Sequence, residues 1–251
     1  MNVLVIGGSG MVGSHTVPHL AGSHRVRVLD RRPVSADGVE WLEGDARSAD
    51  DVARGVDGVD GVVHMAAVVP RAEQYDPATV HAAYEVNVAS LHLAMSLAAA
   101  AGVRAFVHIS TMSVFRRYGT DVIDPLAATP DAVQPYGLTK RLGEQVVRAL
   151  APELGITACS LRLIYPTPDA DWPLWRAPEG TPPRPMTMRD GRTPIATLAT
   201  SDLAGAIDCA LAYTGPYRAF TATADVAGTS VVPDDTQHVL GWKPARVLAP
   251  E

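Results

Sequence analysis

NVLVIGGSGMVGSH, residues 2 to 15, joins an apolar run to a glycine-rich loop and then to a helical pattern. Valine and isoleucine dominate the run, as in a strand buried on both faces. Gly7, Gly10 and Gly13 lie three apart. Gly7 permits a tight turn. Gly10 lets the backbone approach a pyrophosphate at the helix N-terminus, where unpaired N–H groups and the helix dipole favour anions. Gly13 permits close helix–sheet packing. Met11 and Val12 complete the turn and face the same ligand. Glycines also serve ordinary turns, but the strand, loop and helix in this order supply the context that a dinucleotide-binding loop requires.

The rest of the chain repeats that alternation. Strand-like runs occupy 2–6, 25–30, 39–45, 60–65, 104–110 and 156–163, and helical patterns follow at 11–21, 49–55, 79–101 and 136–151. Buried strands separated by helices predict an α/β fold, a doubly wound parallel (Rossmann) sheet with helices on both faces. Residues 1–164 form the dinucleotide-binding core. Residues 165–251 form a short substrate-binding region packed on it, in one structural unit. That region opens with PTPDADWPLWRAPEGTPPRPMTMRDGRTP, residues 166–194, which carries eight prolines and little periodicity. It reads as a long irregular segment, of the kind that is often a functional lid or disordered. A helix over 201–213, a strand over 217–223 and a small helix near 234–240 follow. There is no internal repeat.

Asp30 ends the second strand about 20 residues past the loop, where a carboxylate can bind the adenosine ribose hydroxyls. It repels a 2′-phosphate, although Arg31 and Arg32 follow at once and can pair with one. The balance favours NAD over NADP. Asp45, after the third strand, either accepts from the adenine amino group or caps the helix over 48–55, and Ala46 adjoins it.

The 251 residues carry a net charge of −6 and no dense Lys/Arg run. That argues against nucleic acid or an anionic membrane as partner and leaves a small-molecule substrate. Cys159 and Cys209 form no CxxC, which fits reduced thiols in a cytoplasmic protein and no structural metal. No apolar run reaches the ~18 residues of a membrane span. MNVLVIGG opens directly on a core strand, so no signal peptide is expected.

QPYGLTKRLGEQVVRA, residues 134–149, places Tyr136 and Lys140 at i and i+4, on one helix face. Strand 104–110 ends in HIST, with Ser110 and Thr111 near the same edge. A tyrosine pKa of ~10 is too high for a base near neutral pH. A neighbouring ammonium about 4 Å away, at an effective dielectric constant of about 20, contributes roughly 4 kcal/mol, which would lower that pKa by up to ~3. The positive nicotinamide of an oxidised cofactor acts in the same sense. Tyr136 is thus expected to exchange a proton with a substrate oxygen, with Thr111 orienting that oxygen.

These motifs resemble the short-chain dehydrogenase/reductase superfamily, and within it the extended, NAD-dependent epimerase/dehydratase branch. GGSGMVG, EGDARS, VVHMAA (62–67), EVNVASLHLAMSLAAAAGVRAFVHISTMSVF and PYGLTKRLGE carry the resemblance. It implies Thr111, Tyr136 and Lys140 as catalytic residues. It also implies Ala66 and Ala67 under the cofactor, and Ser110 beside Thr111 near its nicotinamide. Residues 164–166, Ile164 to Pro166, follow the strand over 156–163 and are expected to line the nicotinamide side. Asn87 is implied to order the site, although a core amide satisfied by backbone fits its position equally. His64 and Arg162 read as structural, Arg162 paired with a carboxylate or backbone. TSDLAGAI and LGWKP resemble segments that pack the substrate region on the core.

Departures narrow the activity. Sugar-nucleotide 4,6-dehydratases carry Asp-Glu after the catalytic Thr, whereas Met112 and Ser113 stand here. The region after 165 is short for holding a nucleotide sugar. Length and ending are similar to uronate dehydrogenases. The expected activity is therefore NAD(P)-dependent interconversion of an alcohol with a ketone or lactone, on a sugar acid or another small metabolite. A sugar epimerase with tightly held NAD is the alternative, and a non-catalytic dinucleotide-binding regulator a third class. In relatives, helices equivalent to 79–101 and 136–151 often build a dimer interface, which makes a homodimer the expected assembly.

Overall fold

Side chains of β1 (Asn2–Ile6) alternate between two cores. Val3 and Val5 enter one apolar cluster, and Leu4 and Ile6 enter the other. A strand covered on both faces must do this, because successive side chains point to opposite sides. The computed structural model describes residues 1–70, 76–177 and 181–248.

Around β1 the chain builds a seven-stranded sheet. Its other members are β2 (Arg25–Asp30), β3 (Glu40–Glu43), β4 (Gly61–His64), β5 (Ala105–Thr111), β6 (Thr157–Leu163) and β9 (Arg218–Ala222). The order is β3-β2-β1-β4-β5-β6-β9, and every pairing is parallel. On one face lie α1 (Gly13–Leu20) and α6 (Thr200–Ala212). On the other lie α2 (Ala49–Val56), α4 (Ser90–Ala100) and α5 (Pro135–Leu154). The order reverses between β1 and β4, the switch point where such sheets leave a crevice at their strand ends.

The helix expected over 79–101 proves compound. Asp76 caps α3 (Pro77–Tyr84), a π-turn follows at Glu85–Ala89, and α4 continues. The π-turn turns Asn87 inward, where it is buried. At the third strand, pairing stops at Glu43, so Gly44 and Asp45 lie beyond the sheet.

The proline-rich segment is less irregular than its composition suggests. β7 (Pro166–Thr167) pairs in parallel with β8 (Leu198–Ala199). Trp175 and Arg184 exchange backbone hydrogen bonds of 2.8 and 3.1 Å, folding the segment back on itself. Near the chain end, α7 (Thr236–Val239) lies against β9. Trp242 then inserts into the first core and donates its indole N–H to the Asp202 carbonyl at 3.1 Å, which anchors LGWKP on α6. No helix among the described residues is long and apolar enough to cross a membrane.

Candidate active site

A cavity of about 960 Å³ opens at the C-terminal ends of β1, β2, β4, β5 and β6. Its floor is the glycine loop. Gly7 takes φ +86°, and a Cβ there would fall 2.4 Å from the Ala66 Cα. The loop after β1 and the loop after β4 therefore touch backbone to backbone. A Cβ on Gly13 would fall 2.5 Å from the Gly8 carbonyl oxygen, which is the tight packing expected of that glycine. Gly10, Met11 and Val12 also line the cavity, as do Ala66 and Ala67.

Asp30 and Arg31 line one end of it. The Asp30 carboxylate accepts from the Ser9 and Arg32 backbone N–H groups, each at 3.0 Å. Two of its roughly four lone-pair directions are thus used and the others remain for hydroxyl donors. The Arg32 guanidinium donates to the Ser9 carbonyl at 2.9 Å, which ties the loop to the second strand's end.

Asp45 and Ala46 line the same end. Asp45 does not cap α2: Ser48 does, accepting from the Asp51 N–H. Asp45 instead accepts from Arg47 through Nε at 3.0 Å and Nη2 at 2.7 Å, and Arg47 continues to Glu85 at 2.9 Å. The Arg47 guanidinium holds the Asp45 carboxyl below the usual range.

At the other end, Ser110, Thr111, Tyr136 and Lys140 converge on the cavity. They meet because α5 presses against the turn after β5. A Cβ on Gly137 would fall 2.2 Å from the Ser113 carbonyl oxygen, so only glycine lets the helix come so near. Thr111 lies beside Tyr136. Its hydroxyl donates to the Ser113 Oγ at 3.2 Å and accepts from the Ser113 N–H at 3.1 Å. Met112 packs fully into a third apolar cluster. No carboxylate follows Thr111 on this side of the site.

The expected lowering of the Tyr136 pKa is reversed. Burial pushes it up to about 12, and the neighbouring Thr111 hydroxyl opposes that only in part. The Lys140 ammonium donates to the Ile109 carbonyl at 2.7 Å. Tyr136 is thus held protonated, ready to donate. Burial lowers the Lys140 pKa to about 8.

Two residues expected at the cofactor lie elsewhere. Ile164 is fully buried in the third cluster, whereas Tyr165 and Pro166 of the same expected stretch do line the cavity, as does Leu163. Asn87 does not reach the cavity. Its amide accepts from the Val68 N–H, donates to the Val68 carbonyl, and donates to the Thr139 hydroxyl, at 2.8 to 2.9 Å. Thr139 in turn donates to the Tyr136 carbonyl. Asn87 therefore ties the loop under the cavity to the first turn of α5, an ordering role met through contacts rather than through the ligand.

His64 is structural, as expected: it is buried, bonds the Ser90 hydroxyl at 2.8 Å, and burial lowers its pKa to about 3. Arg162 pairs with Glu144 through two hydrogen bonds, 2.9 and 2.7 Å, inside the protein.

Beside the expected Tyr165, the far wall holds three residues that the sequence did not mark, Tyr118, Trp175 and Arg184. Tyr165 and Trp175 meet edge to face with ring centroids 5.2 Å apart, and the Arg184 guanidinium stands 5.9 Å over the Trp175 ring. Tyr165 adopts φ +38°, a left-handed conformation costly for a bulky residue. Such strain gathers at ligand-facing positions. Nothing periodic in the proline-rich stretch marks Trp175 or Arg184, and residues 178–180 lie outside those described.

A parallel sheet with a glycine loop at its switch point, a carboxylate after the second strand and a Thr–Tyr–Lys group opposite is the arrangement of a Rossmann-type dinucleotide-binding fold. The sequence profile of the NAD dependent epimerase/dehydratase family matches residues 3–166, and the chain belongs to that family. It is 33% identical over 172 residues to a 3-beta-hydroxysteroid dehydrogenase of Mycolicibacterium neoaurum, covering 64% of this chain and 46% of that protein. The chain thus spans about half the length of the first curated relatives it matches. Among solved structures, the glucuronic acid dehydrogenase from Chromohalobacter salexigens superposes with a TM-score of 0.78 at 20% identity, covering 98% of this chain and 85% of that one. MoeE5 in complex with UDP-glucuronic acid and NAD gives 0.77 at 21%, covering 98% and 94%. These two share the fold.

Proposed function

We propose that the protein is an NAD-dependent dehydrogenase that interconverts an alcohol and a ketone or lactone on a sugar acid or another small ring-bearing metabolite, with Tyr136 as general acid and base. One observation carries this reading: Thr111, Tyr136 and Lys140 line one end of the same cavity whose other end the glycine loop and Asp30 line. The cavity fits the cofactor in size and chemistry. Gly7, Gly10 and Gly13 would hold the pyrophosphate, Asp30 the adenosine ribose, and Tyr136 and Lys140 the nicotinamide end. Bound NAD would supply the hydride acceptor, and NADH the donor.

The chain's own residues do the rest. In ketone reduction, Thr111 orients the carbonyl oxygen and Tyr136 gives it a proton as hydride reaches the carbon. In alcohol oxidation the proton returns to Tyr136, which must first be ionised. A phenol held near 12 is placed to donate, and the positive nicotinamide of bound NAD would lower it for the oxidative sense. The aromatic wall of Tyr165 and Trp175, with Arg184 beside it, suits a ring that carries a negative group.

The test is to supply NAD with uronic acids and other cyclic hydroxy acids, and NADH with the corresponding ketones. Net change at the reduced-nicotinamide absorbance band is the expected result. Substrate turnover with no such change would mean an epimerase and would overturn the proposal.

NAD is the expected cofactor over NADP, because Asp30 repels a 2′-phosphate. NAD should raise the melting temperature more than NADP at equal concentration. Asp30→Asn should narrow that advantage by roughly tenfold in affinity, about 1.4 kcal/mol. A wild-type protein stabilised more by NADP would reverse the assignment.

A further inference from the structure

Behind Tyr136 and Lys140 the site has a second layer. One turn beyond Lys140 on α5, Glu144 is as deeply buried, each residue being 2% exposed. Glu144 is tightly held. It accepts from the Ser110 hydroxyl at 2.7 Å and from Arg162 at 2.9 and 2.7 Å. β5, β6 and α5 thus meet on one carboxylate directly behind the proposed catalytic group. The chain also has only two lysines, Lys140 and Lys243, among its 21 lysines and arginines. Lysine, unlike arginine, can lose its charge when buried.

We infer that Glu144 is a positioning residue for the reaction: as the buried counter-charge one helical turn below Lys140, it keeps that ammonium charged beside Tyr136. The inference rests on the proposed function for its consequence, though not for its test.

The surroundings of Lys140 leave Glu144 as the group able to do this. From β4 and β5 it is faced by His64 and His108, both buried and held neutral. Tyr136, one turn earlier on its own helix, is also uncharged. Arg162, from β6, bears the same sign as Lys140 and spends its guanidinium on Glu144. The Ile109 carbonyl gives a dipole but no charge. Burial drives the Lys140 pKa down to about 8, and Glu144 is the group that resists. Near pH 7 the balance is therefore close. Without Glu144, an amine inside the protein would favour its neutral form and offer no positive charge to a phenolate.

The test reads Lys140 directly. With lysine carbon-13 labelled next to the amine, the full-length protein gives two titrating signals. Lys140→Met assigns one, and exposed Lys243 is the internal control. In wild type the Lys140 signal should titrate near 8. In Glu144→Gln it should titrate about one pH unit lower or more, while Lys243 stays in place. If Glu144→Gln fails to fold because Arg162 is left unpaired, Arg162→Gln tests the opposite sign: it frees Glu144 of its other counter-charge and should raise the Lys140 titration, and an unmoved signal there would overturn the inference equally. A Lys140 signal within a few tenths of wild type in the folded variant would overturn the inference. The proposed reaction fails by a different result: an active Tyr136→Phe enzyme would sink it and leave this titration unchanged.

Discussion

Tyr136→Phe should lower turnover by roughly 10²–10⁴-fold, the usual contribution of one positioned proton donor or acceptor. The phenyl ring keeps the packing of α5 against the turn after β5, so the melting temperature and NAD affinity should change little. Loss of kcat with a preserved fold distinguishes a chemical role from a structural one. The reason for so large an effect is geometric. No carboxylate follows Thr111, and Met112 is packed into the core. Ser110, the other hydroxyl of that strand end, is committed to Glu144. Thr111 can orient an oxygen, but its pKa is far too high to move a proton alone. Removing Tyr136 therefore leaves the substrate oxygen with water as its proton source. The measurement is steady-state turnover beside a thermal melt. Turnover within a few-fold of wild type would show that the proton travels by another route.

How much of this was legible in the sequence depends on how local the cause is. The strands at 2–6, 25–30 and 104–110 were readable almost to the residue, because buried parallel strands are continuous apolar runs. The glycine loop, Asp30 and the Tyr136–Lys140 pair were readable because spacing fixes their geometry. What escaped depends on which distant group arrives. The side chain of Arg47, two residues away, could equally have pointed to solvent; in the structure it takes both Asp45 oxygens and reaches Glu85. The π-turn at Glu85–Ala89 has no local signature, yet it delivers Asn87 to Val68 and Thr139.

The expected acidity of Tyr136 failed for the same reason. Helical spacing put a cation on the right face. It did not show that burial of the phenol would outweigh it. Glu144 was likewise visible as part of PYGLTKRLGE, but its partners Ser110 and Arg162 come from other strands. The aromatic wall was least legible, since prolines impose no period and Tyr165 and Trp175 meet only after the segment folds back.

Gly7→Ala should produce the largest loss of stability for the smallest change of side chain. Two costs combine. At φ +86° an alanine pays about 1–2 kcal/mol for the left-handed conformation. Its methyl would also stand 2.4 Å from the Ala66 Cα and 2.5 Å from the Ala66 N, and backbone cannot rotate aside as a flexible side chain can. Overpacking of that kind adds about 1–3 kcal/mol. Together that is roughly 2–5 kcal/mol, or a melting temperature lower by about 4–20 °C in a chain of this size. Gly38→Ala separates the two costs. Gly38 has φ +74° with nothing within 4 Å of an added Cβ, so it should pay only the conformational part. The difference between the two variants measures how tightly the glycine loop is pressed on the loop after β4. Cofactor affinity should fall in Gly7→Ala alone, because only there must the cradle open to admit a methyl. Equal melting temperatures for the two variants would mean that the loops are not in backbone contact, and the floor of the cavity would have to be redrawn.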